Sequence, residues 1–192
     1  MLKTVAQKLT IQMVRYDVVD AAKGPVYTYG FELMLSSLAG VLVLITISLV
    51  LRAPFLWIPY LAGFIPIRLL GGGYHAKTHS ACISAFSLLY ISSLIAEQSH
   101  LLPSWFPLFS CILNISIMLL FAPVVSPNKP LRETHRITNR HSCLLLGALN
   151  LGFSVLWSFT RWSGHWFMMY FAGSCMAGFS MLLAVVNKKR KG

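Results

Sequence analysis

Six apolar runs alternate with short polar breaks along the chain. They lie at about 32–51, 55–70, 81–96, 106–125, 143–160 and 166–186. A helix that crosses the hydrocarbon core of a bilayer needs about 20 apolar residues. The second and third runs have only 16 residues each, and prolines interrupt the second. The pattern predicts an all-α polytopic membrane protein with about six transmembrane helices.

The segment before the first run, residues 1–29, has a different pattern. Its apolar residues recur at steps of three or four, which places them on one stripe of a helix. They are Leu2, Val5, Leu9, Met13 and Tyr16. We therefore expect an N-terminal amphipathic helix that lies in the interface of the inner leaflet; the alternative is a solvated leader with no special role. The sequence Lys23-Gly24-Pro25 is expected to break it.

Composition supports a membrane protein made of one domain, residues 1–192. Hydrophobic residues make up 56% of the chain and charged residues 11%, and the mean hydropathy is +0.68, whereas a soluble domain carries about 25% charged residues. The net charge of +11 could indicate a nucleic-acid partner, but the basic residues lie in the gaps between apolar runs. We expect a lipid bilayer as partner and no nucleic acid.

The basic residues also predict the orientation in the membrane. If all six runs cross the bilayer, 14 of the 16 fall on the side of the two termini, and only Arg52 and Arg161 fall opposite. The positive-inside rule then places both termini, the glycine-rich break after residue 70 and the 126–142 loop in the cytoplasm.

The polar break between the second and third runs contains candidate chemistry. Three glycines, Gly71–Gly73, precede His75 and Cys82. A cysteine nucleophile needs a base within hydrogen-bond reach, and on one straight helix the two Cα atoms would lie roughly 10 Å apart. A histidine–cysteine pair thus requires a break, which the glycines favour. Thr78 or Ser80 could then cap the helix that carries Cys82, and the helix dipole would favour its thiolate.

Two other interpretations use the same residues. On a straight helix, His75, His79 and Cys82 would share a face, as in a catalytic zinc site with an open fourth position. In the second, these residues form no functional site: the cysteine is a packed apolar side chain and the histidines are exposed to solvent. The zinc site needs a continuous helix and the thiol pair needs a break, so the two are mutually exclusive.

The segment 68–82, with Gly-Gly-x-His-Ala-Lys and a cysteine seven residues after the histidine, resembles the accessory gene regulator protein B family. Two weaker similarities occur in the same order as in that family. They are Tyr29-Gly30-Phe31-Glu32, and Ala122-Pro123 followed by Asn128-Lys129-Pro130. The last two runs resemble the family only in hydropathy.

The resemblance implies an integral-membrane cysteine endopeptidase of a bacterial cell membrane. Such an enzyme cuts a short propeptide at the cytoplasmic face, during maturation of a cyclic thiolactone or lactone signal peptide. The catalytic histidine and cysteine of the family match His75 and Cys82, and His79 is not part of the pattern. The expected partners are the propeptide and the bilayer, with no metal and no cofactor.

Two basic residues are candidates for substrate binding. Arg68 could bind an acidic part of the propeptide, or it could form an ion pair with Glu32 that joins the first two spans, because ionisable groups in a membrane tend to pair. Lys129 in the 126–142 loop could also bind an acidic peptide, although the pattern favours an ordinary topology signal.

The sixth run contains the small-residue pairs Gly173/Ala177 and Ser174/Gly178. Such pairs permit close helix packing, either within one protomer or across a homodimer. A different class of function is a small transporter or permease, since short, proline-interrupted runs are also typical of transporters. Transport does not require the His75/Cys82 pair, so that pair distinguishes the two classes.

Overall fold

The computed structural model describes residues 2–73, 78–124, 133–160 and 164–189, and the fold is all-α. Seven α-helices and one short 3-10 helix, Ala21–Lys23, form this part of the chain. The helices are α1 (Leu2–Arg15), α2 (Gly24–Val50), α3 (Trp57–Gly71), α4 (His79–Gln98), α5 (Phe106–Phe121), α6 (Glu133–Thr160) and α7 (His165–Lys189). The predicted fold class, with an N-terminal helix followed by six apolar helices, is confirmed.

Four helices are long and apolar enough to cross a membrane, and they contain residues 21–50, 80–98, 136–159 and 165–187. The apolar helices α3 and α5 are shorter, with 15 and 16 residues. At 1.5 Å per residue they cover about 22 and 24 Å, less than the roughly 30 Å hydrocarbon core. The protein is therefore a multi-pass membrane protein with two short helices inside the bundle.

Several helix boundaries differ from the predicted spans. Helix α2 begins at Gly24, eight residues before the predicted start, because Pro25 fits the first helical turn, where no backbone N–H is needed. Helix α5 ends at Phe121, and Ala122 leaves it in extended backbone before Pro123. Helix α6 begins at Glu133, so the second half of the expected 126–142 loop is helical. Helices α2 and α6 therefore extend beyond their apolar runs, whereas α5 stops short of the end of its run.

The N-terminal helix packs on the first turns of α2. Ala6 and Thr10 are buried there, and Thr28 donates a hydrogen bond to Thr10 (3.0 Å). Helix α1 ends at Arg15, before the predicted break, and Asp17 follows with a positive φ. Val5 and Leu9 stay exposed beside this contact, as an interfacial helix requires.

Helix α7 lies at the centre of the bundle and contacts α3, α4 and α5. Its closest approach is to α3: a Cβ at Gly63 would lie 2.0 Å from the Tyr170 carbonyl oxygen, and one at Gly173 would lie 2.1 Å from that of Tyr60. Glycine on both helices thus lets the two backbones touch. Of the two predicted uses of the small-residue pairs, Gly173 serves helix packing within one protomer, against α3.

Polar side chains join the helices inside the apolar bundle. Asn114 of α5 donates to Ser174 of α7 (3.0 Å), and Tyr170 donates to Asn150 of α6. Both asparagines thus form hydrogen bonds between helices. Such bonds satisfy polar groups where no water is available.

A buried acid joins α4 to α7 at the end of α4 remote from Cys82. Glu97 is 5% exposed and pairs with His165, the first residue of α7. Fifteen residues separate Cys82 from Glu97, which corresponds to about 22 Å along the helix axis. The glycine break and this pair therefore lie at opposite ends of the bundle.

Candidate active site

Cys82 lies in the first turn of α4. Thr78 precedes the helix in extended backbone (φ −128°, ψ 149°) and caps it, because the Ala81 N–H donates to Thr78 Oγ1 (3.2 Å). The Cys82 N–H donates to the Thr78 carbonyl oxygen (3.1 Å). The cysteine side chain is half-buried. Of the two predicted capping residues, Thr78 is the one that caps.

The extended backbone of Thr78 bears on the two predicted arrangements of histidine and cysteine. His75 and Lys129 lie outside the described residues, and so does the side chain of His79. A straight helix from residue 75 to Cys82 would need helical backbone at Thr78, which is extended instead. The continuous helix that the zinc interpretation needs is therefore interrupted at Thr78, and α4 begins at His79.

Arg68 approaches the same place from the last turn of α3. Its Nη1 donates to Ser180 Oγ of α7 (3.2 Å), and its side chain is half-buried. The ring contacts Tyr60–Tyr90 (centroids 4.9 Å apart) and Phe64–Phe86 (4.7 Å) pair α3 with α4 in an antiparallel register, which sets Arg68 opposite Cys82. The ends of α3 and α4 and the middle of α7 thus meet around one cation and one thiol.

The glycine break is held in place by the chain after α5. The Val124 N–H donates to the Gly71 carbonyl oxygen (2.9 Å), and Gly72 and Val124 form a parallel bridge. Gly72 has a φ of +77°, and a Cβ there would lie 2.4 Å from the Val124 carbonyl oxygen. Only glycine fits a site with both this conformation and this contact. The break is therefore attached to the residues that lead into the 126–142 loop.

The described contacts of Glu32 and Arg68 lead to different helices. Glu32 lies on the first turns of α2 and lines a groove toward α1 with Lys3 and Gln7. Arg68 donates a hydrogen bond to Ser180 of α7. Helix packing, which hydropathy does not reveal, determines these neighbours.

Ser180 is the residue at this site that sequence reasoning missed. It is 8% exposed and lies in an apolar run 112 residues after Arg68. A serine within a transmembrane run is common, since it can bond to its own helix, and Ser180 does donate to the Ala177 carbonyl oxygen (2.9 Å). No local pattern distinguishes it from the other serines of these helices.

Comparison with known protein families gives one match. The family model described as Accessory gene regulator B matches residues 6–186, which is nearly the whole chain and includes the last two helices. Searches among curated proteins and among solved structures found no match.

Proposed function

Because the chain belongs to the accessory gene regulator B family, we propose that it is a membrane cysteine endopeptidase. It cleaves a short signal propeptide at the cytoplasmic face and contributes to the formation of a cyclic autoinducing peptide. The observation that carries this proposal is the position of Cys82, half-buried in the first turn of a capped helix and opposite Arg68 in the antiparallel packing of α3 on α4.

The position of Cys82 suits a nucleophile. The backbone N–H groups at the start of a helix point toward its N-terminus, and the helix dipole places partial positive charge there, which favours negative charge. Side chains on a helix also lean back toward its N-terminus. The thiolate would therefore be stabilised by α4 itself and would face the glycine break that contains His75.

In the proposed reaction, His75 takes the thiol proton of Cys82. The sulfur attacks the scissile carbonyl carbon, and backbone N–H groups at the start of α4 stabilise the oxyanion. The C–N bond breaks, and His75 returns the proton to the leaving nitrogen. This leaves the N-terminal part of the propeptide as a thioester on Cys82, with its C-terminal part released.

The thioester is then resolved by a second nucleophile. Attack by water gives a linear acid, whereas attack by a cysteine or serine of the bound peptide closes a ring. In both cases the C–S bond to Cys82 breaks and the thiol is regenerated. A site that excludes water at the membrane surface would favour ring closure. We propose that Arg68 and Lys129 contact the propeptide during these steps.

The proposal is tested with purified protein in detergent or vesicles and a synthetic propeptide. The wild-type protein should release the C-terminal fragment and carry a transient acyl adduct on Cys82, detected by mass spectrometry. Cys82→Ala and His75→Ala should each reduce cleavage by at least about a thousandfold, as expected when a nucleophile or its base is removed.

Cys175→Ala is the matched control, because Cys175 is also partly exposed but lies within α7. It should cleave at close to the wild-type rate. Full cleavage by Cys82→Ala would refute a cysteine mechanism, and a protein that moves the peptide without cutting it would be a transporter.

A further inference from the structure

We infer that Ser180 is a positioning residue: it holds the Arg68 guanidinium beside Cys82, where the cation stabilises the thiolate and then the oxyanion of the scissile carbonyl. The inference rests on the proposed function and adds to it a residue of α7, the central helix. Arg68 would accordingly contact the reacting atoms, whereas Ser180 acts only through Arg68.

The hydrogen bonds of Ser180 have a fixed direction. Its single hydroxyl proton is donated to the Ala177 carbonyl oxygen (2.9 Å). The lone pairs of Oγ are then available to accept from Arg68 Nη1, which lies 3.2 Å away. Because a guanidinium only donates, donor and acceptor match without any rearrangement. The bond anchors one end of a planar cation to a buried point on a packed helix.

Gly73 closes the other side of the guanidinium. A Cβ at this position would lie 1.7 Å from Arg68 Nη1 and 2.7 Å from Ser180 Oγ. Gly73 is itself buried and has a φ of +149°. The cation thus fits a slot between the glycine backbone and α7, and no other residue type fits at position 73 while Arg68 occupies that slot.

The slot lies next to the start of α4. Gly73 is five residues before Thr78, the cap of α4. The antiparallel ring contacts Tyr60–Tyr90 and Phe64–Phe86 set Arg68 opposite Cys82, where its positive charge would attract a thiolate. Charges interact more strongly in a half-buried site than in water. Preorganised charge is effective because it costs no reorganisation during the reaction. Removing the hydrogen bond between Arg68 and Ser180 should therefore lower the reaction rate, while the affinity for the propeptide changes little.

The first measurement is the kinetics of propeptide cleavage by Ser180→Ala. We expect kcat to fall about tenfold, less than the 10²–10³ lost when an oxyanion donor is removed outright, with KM changed less than twofold. Ser180→Thr keeps the hydroxyl and should retain most of the rate. Ser174→Ala is the matched control, since it removes a buried α7 hydroxyl that bonds to Asn114 and is remote from Arg68.

The second measurement needs no propeptide. Cys82 is alkylated with anionic iodoacetate and with neutral iodoacetamide, and adducts at Cys82 are counted by mass spectrometry. A fixed cation beside the thiol favours the anionic reagent, so the iodoacetate-to-iodoacetamide rate ratio should fall at least twofold in Ser180→Ala. The ratio should stay unchanged in Ser174→Ala. If Ser180 had only a structural role, the ratio would also stay unchanged in Ser180→Ala.

Wild-type kcat together with an unchanged reagent ratio in Ser180→Ala would overturn the inference. Equal losses in Ser180→Ala and Ser174→Ala would also overturn it, because they would indicate general loosening of α7. The proposed function fails separately, through cleavage by Cys82→Ala. If Cys82→Ala is inactive and Ser180→Ala behaves as wild type, only the positioning role of Ser180 is wrong.

Discussion

At the scale of single residues, the glycine break has backbone atoms so close to neighbouring groups that no side chain fits. Gly72 touches the Val124 carbonyl oxygen and Gly73 touches the Arg68 guanidinium, both with positive φ. Spacing suggests only that three glycines make the chain irregular. The contacts give two of them a steric reason that depends on partners in α3, α7 and the residues after α5.

We predict that Gly72→Ala destabilises the protein by about 1–3 kcal/mol, because a positive φ strains a residue with a Cβ and the Cβ meets Val124. It should also reduce cleavage, since the break leads to Cys82. The measurement is thermal unfolding in detergent. Gly152→Ala is the control: no atom lies within 4 Å of a Cβ there, in the exposed face of α6. Equal stability of the two variants would contradict the explanation of Gly72.

At the scale of helices, the start of α4 decides where the thiol lies. Thr78 caps the helix, and Cys82 follows within one turn. A residue at the N-cap is worth about 1 kcal/mol to a helix. The cap therefore stabilises the helix end and also determines where the candidate nucleophile Cys82 lies.

Replacing Thr78 with Val keeps the shape and removes the cap. We expect the first turn of α4 to fray, with faster amide hydrogen exchange at Ala81 and Cys82, and cleavage to fall several-fold. Thr78→Ser should restore both, because serine caps at least as well as threonine. Thr46→Val serves as control, since Thr46 donates to the Leu42 carbonyl oxygen of its own helix. If exchange at Ala81 is unchanged in Thr78→Val, the cap does not hold this turn.

At the scale of the whole molecule, the two ends of α4 mark the two ends of the bundle. Cys82 lies at one end, and the buried Glu97–His165 pair ties α4 to α7 at the other. We propose that the Cys82 end faces the cytoplasm together with both termini, because most basic residues lie in the connections on that side.

The orientation predicts which tags a protease can reach. A cleavable tag after Gly192 should be protected in intact cells without a wall and cut in inverted vesicles. A tag inserted after Arg52, in the exposed connection between α2 and α3, should behave in the opposite way. Cleavage of the C-terminal tag in intact cells would place the thiol site outside and contradict the proposed cytoplasmic cleavage.

The sequence by itself determined the features that depend on neighbouring residues. Apolar runs predict the six helices, because a bilayer demands long apolar stretches whose backbone bonds are internal. Thr78 and Cys82 were placed correctly since capping acts over three or four residues. The motif around His75 and Cys82 indicated the family, and the match to residues 6–186 confirmed it.

Only the tertiary structure decided which helix faces meet. Ser180 and Arg68 are 112 residues apart, and Val124 lies far from Gly71 in sequence. Within a membrane nearly every helix face is apolar, so hydropathy cannot tell a lipid-facing serine from one that anchors an arginine. For the same physical reason, the sequence leaves the neighbours of Glu32 and Arg68 open: both charges lie near helix ends, and packing alone determines what each one contacts.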